Sequence, residues 1–305
     1  MSGVRITPDE MVIVGARRSL GRHISEIWAF RELLWGLTRK ELKIRYKNSA
    51  LGFVWSMVQP VFLLLIYSIA FSILGAGFKR FAIWLLCGLL VWNFVTTSLQ
   101  TSVQAITANG YLVSKVRFPR AILPLSTVGA AALHFLLQLS AFAIVLAVMR
   151  HPVDWGYVPL VVPAALATLL FCSALSLLLS SLNVKSRDTQ HLLDLAMLGW
   201  FWLSPIIYPY ARAATSFARR GLPGSIGLFN PVTPILITFQ RALYGVSSVL
   251  VDPANPTGPR QQLLPDESQW WYLRNIGIIA VVSLALMAYA LNVFDRAEAN
   301  FAEDL

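Results

Sequence analysis

Charge is what this sequence has least of. Only 13% of its 305 residues are Asp, Glu, Lys or Arg, where soluble domains carry about 25%. A water-facing fold has no place on its surface for long uncharged stretches, so the composition excludes an ordinary soluble protein. Acidic residues are the scarcer sign, 15 against 25 basic. The two cysteines, Cys87 and Cys172, both sit inside apolar runs. That excludes a disulfide framework and a thiolate metal site and leaves packing as their role. The four histidines, His23, His134, His151 and His191, are scattered, and no HExxH, CxxC or GxxxxGK[ST] pattern occurs. A membrane enzyme needs acid, base, nucleophile or metal groups that converge, and no such set stands out. No metal or cofactor is expected in this chain, and any ATP must be hydrolysed elsewhere.

Apolar residues are abundant, at 56%. A helix needs about 20 apolar residues to cross a bilayer core, and five uncharged runs meet that length: 53–74, 81–106, 121–149, 158–182 and 275–294. A weaker sixth, 192–210, is interrupted by Asp194 and ends in the proline-containing WLSPIIYP. The sequence therefore predicts an all-α integral membrane protein with six transmembrane helices. Ten of the 25 basic residues lie before residue 53, as expected of a segment held at a cytoplasmic surface of anionic lipid, so the net charge of +10 is not read as a nucleic-acid footprint. No early apolar stretch of signal-peptide type occurs in residues 1–52, so the N-terminus is expected to stay inside. Six spans then place sixteen basic residues inside, among them Lys185 and Arg296. Of the nine left outside, Arg212, Arg219, Arg220, Arg241, Arg260 and Arg274 fall in one long segment, where the charge rule is weak. Both termini are expected to be cytoplasmic.

The spans divide the chain into a cytoplasmic N-terminal region (1–52), a transmembrane domain (53–295) and a cytoplasmic tail (296–305). Within the first, residues 26–47 alternate Trp28, Phe30, Leu33, Trp35 and Ile44 with Arg39, Lys40, Lys43 and Arg45, the pattern of an amphipathic helix lying in the interface. Residues 221–245 are apolar but broken by Pro223, Gly224, Gly227, Pro231 and Pro234. Such a stretch reads as one or two re-entrant helices between spans five and six, tolerated where protein or a water-filled cavity satisfies the freed backbone. Residues 252–268 read as an external loop. On the third span, His134 and Gln138 share a face and either line a polar path or bond a neighbouring helix. Asp194 is a functional candidate by default or pairs with Arg187 at the interface. Mid-membrane ionisable groups are nearly absent, which argues against a proton- or sodium-coupled carrier.

Four stretches carry a resemblance. RYKNSALGFVWSMVQP (45–60), LVSKVRFPRAILP (112–124), NVKSRDTQHLL (183–193) and WLSPIIYP with FNPVTPI (202–209, 229–235) resemble, in order, ABC-2 type permeases that export polysaccharides, the Wzm and TagG-like group. The resemblance spans residues 26–295. It implies a homodimer in the bacterial cytoplasmic (inner) membrane, working with two copies of an ATPase subunit that holds ATP and Mg. It also implies export of a polyprenyl-diphosphate-linked glycan from the cytoplasmic to the outer face. The overall character is similar to actinobacterial permeases exporting lipid-linked galactan for cell wall biogenesis, while O-antigen-like or teichoic acid-like substrates would use nearly the same permease.

On that resemblance the segment between spans two and three is a coupling helix docking on the ATPase, matching Lys115, Arg117, Phe118, Pro119 and Arg120, with Arg187 and Asp188 as a second contact. A lipid diphosphate would meet Arg39, Lys40, Lys43, Arg45 and Lys47 at the inner headgroups. Aromatic faces bind sugar C–H surfaces without a fixed register, and the channel-lining candidates are Trp55, Trp92, Phe94, Trp202 and Tyr208. Two alternatives remain open at this point: a polytopic membrane enzyme of cell-wall glycan synthesis, and a passive channel.

Overall fold

The computed structural model describes residues 20–47, 54–74, 80–116, 118–245, 248–250, 260–298 and 301. Its helices are α1 (Leu20–Ala29), α2 (Arg31–Tyr46), α3 (Trp55–Leu74), α4 (Phe81–Val103), α5 (Gly110–Lys115), α6 (Ile122–Val148), α7 (Val161–Lys185), α8 (Asp188–Leu203), α9 (Tyr210–Arg219), α10 (Val232–Tyr244) and α11 (Gln269–Glu298). Two three-residue strands, β1 (Ser248–Leu250) and β2 (Arg260–Gln262), pair antiparallel with Ser248 opposite Gln262. This hairpin is a departure from the all-helical expectation. Strands this short carry no period-2 pattern to read.

Among the described residues, four helical segments are long and apolar enough to cross a membrane: Phe81–Val103, Ile122–Val148, Val158–Lys185, which includes the 3-10 turn before α7, and Gln269–Glu298. At 1.5 Å rise per residue the shortest is about 35 Å long, enough for the hydrocarbon core. Helix α4 is the innermost, packed by α6, α7 and α10. Along α7, Ala164, Ala167, Ala174 and Ser176 are buried, and side chains this small let apolar helices approach closely. Helix α11 lies along α7. Helix α3 runs 20 residues beside α4 and α6.

Helix α8 begins earlier and ends sooner than the 192–210 run predicts. It spans 16 residues, about 24 Å, and stops because Ser204 precedes Pro205 and is extended, with ψ 138°, as the proline ring demands of its predecessor. The proline-broken region resolves into a 3-10 segment, Gly224–Phe229, followed by α10. Every residue of α10 except Arg241 is buried. Pro231 and Pro234 fall at its N-cap and first turn, where a missing N–H costs nothing, and Gly245 closes it in the left-handed conformation, φ 77°.

The two ends of the bundle are tied differently. At one end α2 crosses α6: buried Thr38 donates to the Ser126 carbonyl at 3.4 Å. There α2 lies so near that a Cβ on Gly129 would stand 3.0 Å from Thr38 Oγ1. At the same end His23 Nε2 meets Asp295 Oδ1 at 2.8 Å, and Arg120 bonds Glu298 through its backbone N–H, at 3.2 Å, and its guanidinium. At the other end Arg241 pairs with Asp154 at 3.1 Å and lies over the Tyr157 ring.

His151 sits at that second end. Its Nδ1 is 3.0 Å from the Arg80 guanidinium and its Nε2 3.0 Å from the Tyr244 carbonyl. A guanidinium only donates and a carbonyl only accepts, so the ring is neutral, protonated on Nε2. Burial lowers its pKa below the usual 6.5; the bond to Tyr244 raises it, and the charge of Arg80 lowers it further. With the folded value depressed, the unfolded chain takes up the proton first as pH falls, so this stabilisation is present above about pH 6.5 and is lost below it. Thermal unfolding of the purified chain should therefore fall between pH 7.5 and 5.5. His151→Gln, which accepts from Arg80 and donates to Tyr244 without titrating, should remove that part of the slope; an unchanged slope would contradict the assignment.

Candidate translocation surface

The second half of α4 has an unusual division of side chains. Between residues 93 and 104 the positions not buried are Asn93, Thr96, Thr97, Gln100, Thr101 and Gln104, all polar. The buried positions over the same stretch, Phe94, Val95, Leu99 and Val103 among them, are mostly apolar. The spacing of three and four draws the six into one seam along the helix. A row of amides and hydroxyls facing lipid lacks partners for its hydrogen bonds, so the seam belongs against another polar surface or a water-filled path.

Helix α8 forms the flank of this seam. Gln100 Nε2 donates to Asp194 Oδ1 at 2.7 Å, so Asp194 is held by α4 and not by the expected Arg187. Only Leu193 and Met197 of α8 are buried; Leu195, Leu198 and Trp202 are exposed, Trp202 by 61%. The face beside the polar seam is thus broad, apolar and aromatic.

Two stretches distant in sequence meet at the far end of α8. Asn230 Oδ1 accepts from Trp200 Nε1 at 2.9 Å and from the Val232 backbone N–H at 3.1 Å, while its Nδ2 donates to Ser204 Oγ at 3.0 Å. Gln240 Nε2 donates to the Pro205 carbonyl at 3.2 Å. Asn230 and Gln240 therefore supply partners at the proline break that ends α8 and starts α10.

The expected aromatic positions divide. Trp55 and Trp202 are exposed and Tyr208, half-buried, donates to the Trp202 carbonyl at 3.1 Å. Trp92 and Phe94 are corrected: Trp92 is buried against Trp200 and Phe201, and Phe94 stacks on Phe135. Within an apolar run, sequence alone cannot tell which side of a buried helix an aromatic takes. His134 is half-buried and Gln138 buried, both engaged with neighbours.

At the opposite end of the bundle, α2 displays its basic and apolar groups together. Arg39 lies 4.8 Å from the Trp35 ring centre, Lys40 donates to Asn109 Oδ1 at 3.2 Å, and Lys43 and Lys47 are exposed. The Arg45 side chain and Arg117 lie outside the described residues. Lys115, Arg187 and Asp188 are exposed. Phe118 packs on a small core built from Ile106, Val113 and Phe294, and Arg120 is engaged by Glu298, with Pro119 half-buried between them. Phe118 and Arg120 thus first of all fix the loop to its own chain.

Sequence reading missed the seam on α4 and the role of Asn230. The seam had a signal, polar residues three and four apart in an uncharged run; the side-chain partners of Asn230 had none, because Ser204 and Trp200 lie 26 and 30 residues away.

Long apolar helices define an integral membrane protein. The ABC-2 type transporter family matches residues 32–244, and the chain belongs to that family. It is 29% identical over 287 residues to the O-antigen export system permease protein RfbA of Myxococcus xanthus, covering 93% of this chain and 99% of that protein. A protein of the same description from Klebsiella pneumoniae is 29% identical over 213 residues, 68% of this chain and 79% of its own length. The chain is therefore a transporter subunit of a type that works with ATPase subunits.

Proposed function

We propose that this chain is the permease of a polysaccharide exporter. On this reading it moves a polyprenyl-diphosphate-linked glycan, of the galactan, O-antigen or teichoic acid kind, across a bacterial inner membrane, driven by ATP hydrolysis in a partner. The observation that carries the reading is the α4 seam. Uncharged amides and hydroxyls in a row, Asn93, Thr97, Gln100, Thr101 and Gln104, offer hydrogen bonds to sugar hydroxyls. The exposed Trp202 beside them offers a flat apolar face to sugar C–H groups. Relatives described as O-antigen export permeases support a glycan as cargo.

In this reading α3 and α8 complete six spans, and α9, the 3-10 segment and α10 form the re-entrant outer element. Both termini face the cytoplasm. A second copy of the chain covers the open faces of α3 and α8 and closes the channel, with Trp55 and Trp202 turned towards it. Lys115, Arg187 and Asp188, joined by Arg117, contact the ATPase, while Arg39, Lys40, Lys43, Arg45 and Lys47 receive the lipid diphosphate. ATP binding shifts the permease only to the extent that the partner binds its two states unequally.

The test is export of lipid-linked glycan by the chain and its ATPase in nanodiscs. Asn93→Leu, Gln100→Leu and Gln104→Leu together should lower export at least tenfold while the complex still assembles and hydrolyses ATP. Unchanged export would refute the seam, and turnover of the glycan by this chain alone would return the enzyme reading.

A further inference from the structure

The basic residues of the long segment between spans five and six are not used by the proposed path. Two of them line a cleft of about 790 Å³ between α9 and the β2 side of the hairpin. Arg212 and Arg219 stand on α9 with Thr215 and Ser216 between them; Gln262 of β2 and Pro265 form the other wall. This cleft lies at the His151 end of the bundle, away from α2 and the Arg120 loop. Arg241 of the same segment is occupied by Asp154.

The chemistry of the lining is one-sided. Two guanidiniums, an amide and a serine hydroxyl offer hydrogen-bond donors, and no carboxylate is among the lining residues. Asp266 and Glu267, next in sequence to Pro265, are exposed and lie outside the lining. Seven residues separate the arginines along α9, a rise of about 10.5 Å, and side chains as long as arginine's can close on a group of two linked phosphates from both sides. Arginine forks match phosphate oxygens bidentately. The rest of α9 is held in place for this: Tyr210 is buried and donates to the Gly224 carbonyl at 3.2 Å, so the arginines project from a packed helix.

We infer that the cleft between α9 and the hairpin is a binding site for a phosphorylated headgroup. Two sources share that chemistry: the diphosphate of a carried lipid, which would deepen the exporter reading and rests on it, and a phospholipid headgroup of the surrounding leaflet, which does not.

The experiment titrates inorganic pyrophosphate against the full chain in phosphatidylcholine nanodiscs. Arg212→Gln with Arg219→Gln should weaken binding at least tenfold, Gln262→Ala about threefold, and Arg212→Lys with Arg219→Lys should restore it to within about threefold of wild type. Arg274→Gln, on α11 and outside the cleft, should leave it unchanged. Displacement by polyprenyl diphosphate at concentrations where phosphatidylglycerol does not compete supports the site with the carried lipid as source. Equal displacement by phosphatidylglycerol supports it with the leaflet as source. No saturable binding to wild type, equal binding by the Gln pair, or equal loss in Arg274→Gln overturns it. Export measured on the same variants separates the two readings. Pyrophosphate binding without any glycan export rejects the exporter and keeps the cleft; export without pyrophosphate binding rejects the cleft alone.

Discussion

Gly245→Ala is expected to lower the thermal unfolding midpoint by about 5–10 °C, and Gly245→Val to yield no folded protein. The residue has φ 77°, a conformation that costs a residue with a Cβ about 1–2 kcal/mol. A Cβ here would also run into the Pro152 carbonyl oxygen. That oxygen has nowhere to go, because both sides of it are tied to α10: Asp154 N–H donates to the Ala242 carbonyl at 3.2 Å and His151 to the Tyr244 carbonyl. Strain and overlap together should reach about 3 kcal/mol, and each kcal/mol moves the midpoint of a large domain by about 2–4 °C. The check is thermal unfolding of detergent-solubilised protein by near-ultraviolet circular dichroism. A midpoint within a degree of wild type would show that the 151–154 turn moves freely of α10.

The second large effect is expected where α2 crosses α6. Gly129→Ala places a methyl 3.0 Å from Thr38 Oγ1 and 3.3 Å from its Cγ2, so the buried, hydrogen-bonded Thr38 side chain must give way, which should cost about 1–3 kcal/mol. Thr38→Ala removes both atoms and gives up the bond to Ser126, at a cost of about 1 kcal/mol. The Thr38→Ala, Gly129→Ala double variant should be more stable than the sum of the two losses, because the remaining Cβ of residue 38 is 3.8 Å away, an ordinary contact. Hydrogen exchange over residues 31–46 reads this directly: faster in Gly129→Ala, restored in the double variant. Additive losses would mean the two residues do not share this contact. In the exporter, loosening α2 should also reduce export per ATP hydrolysed.

These two glycines mark where sequence reading stops. The long apolar runs were legible because one residue class over 20 positions leaves few alternatives, and 81–106, 121–149, 158–182 and 275–294 all fall on helices, the last of which starts earlier, at Gln269, and ends later, at Glu298. Gly129 looks like any small residue in an apolar run; only the arrival of Thr38, 91 positions earlier, gives it meaning. Burial of Trp92 and Phe94 was illegible for the same reason, since the neighbours that hide these rings come from α8 and α6. The basic end was readable residue by residue, but not the capture of Arg120 by Glu298, because 178 residues intervene.

One side chain, Asn230, has a mechanical consequence. It grips the indole of Trp200, the hydroxyl of Ser204 and the backbone N–H of Val232, so it rivets the end of α8 to the start of α10. Pulling them apart breaks its two bonds to Trp200 and Ser204 and the bond from Gln240 to the Pro205 carbonyl, each contributing about 1 kcal/mol net. The exposed wall carrying Trp202 and the buried half-helix therefore shift as a unit. Any displacement that begins at the Asp188 end of α8 arrives at Gly245 through that rivet, turning a sideways movement of one helix into a movement at the mouth of the bundle.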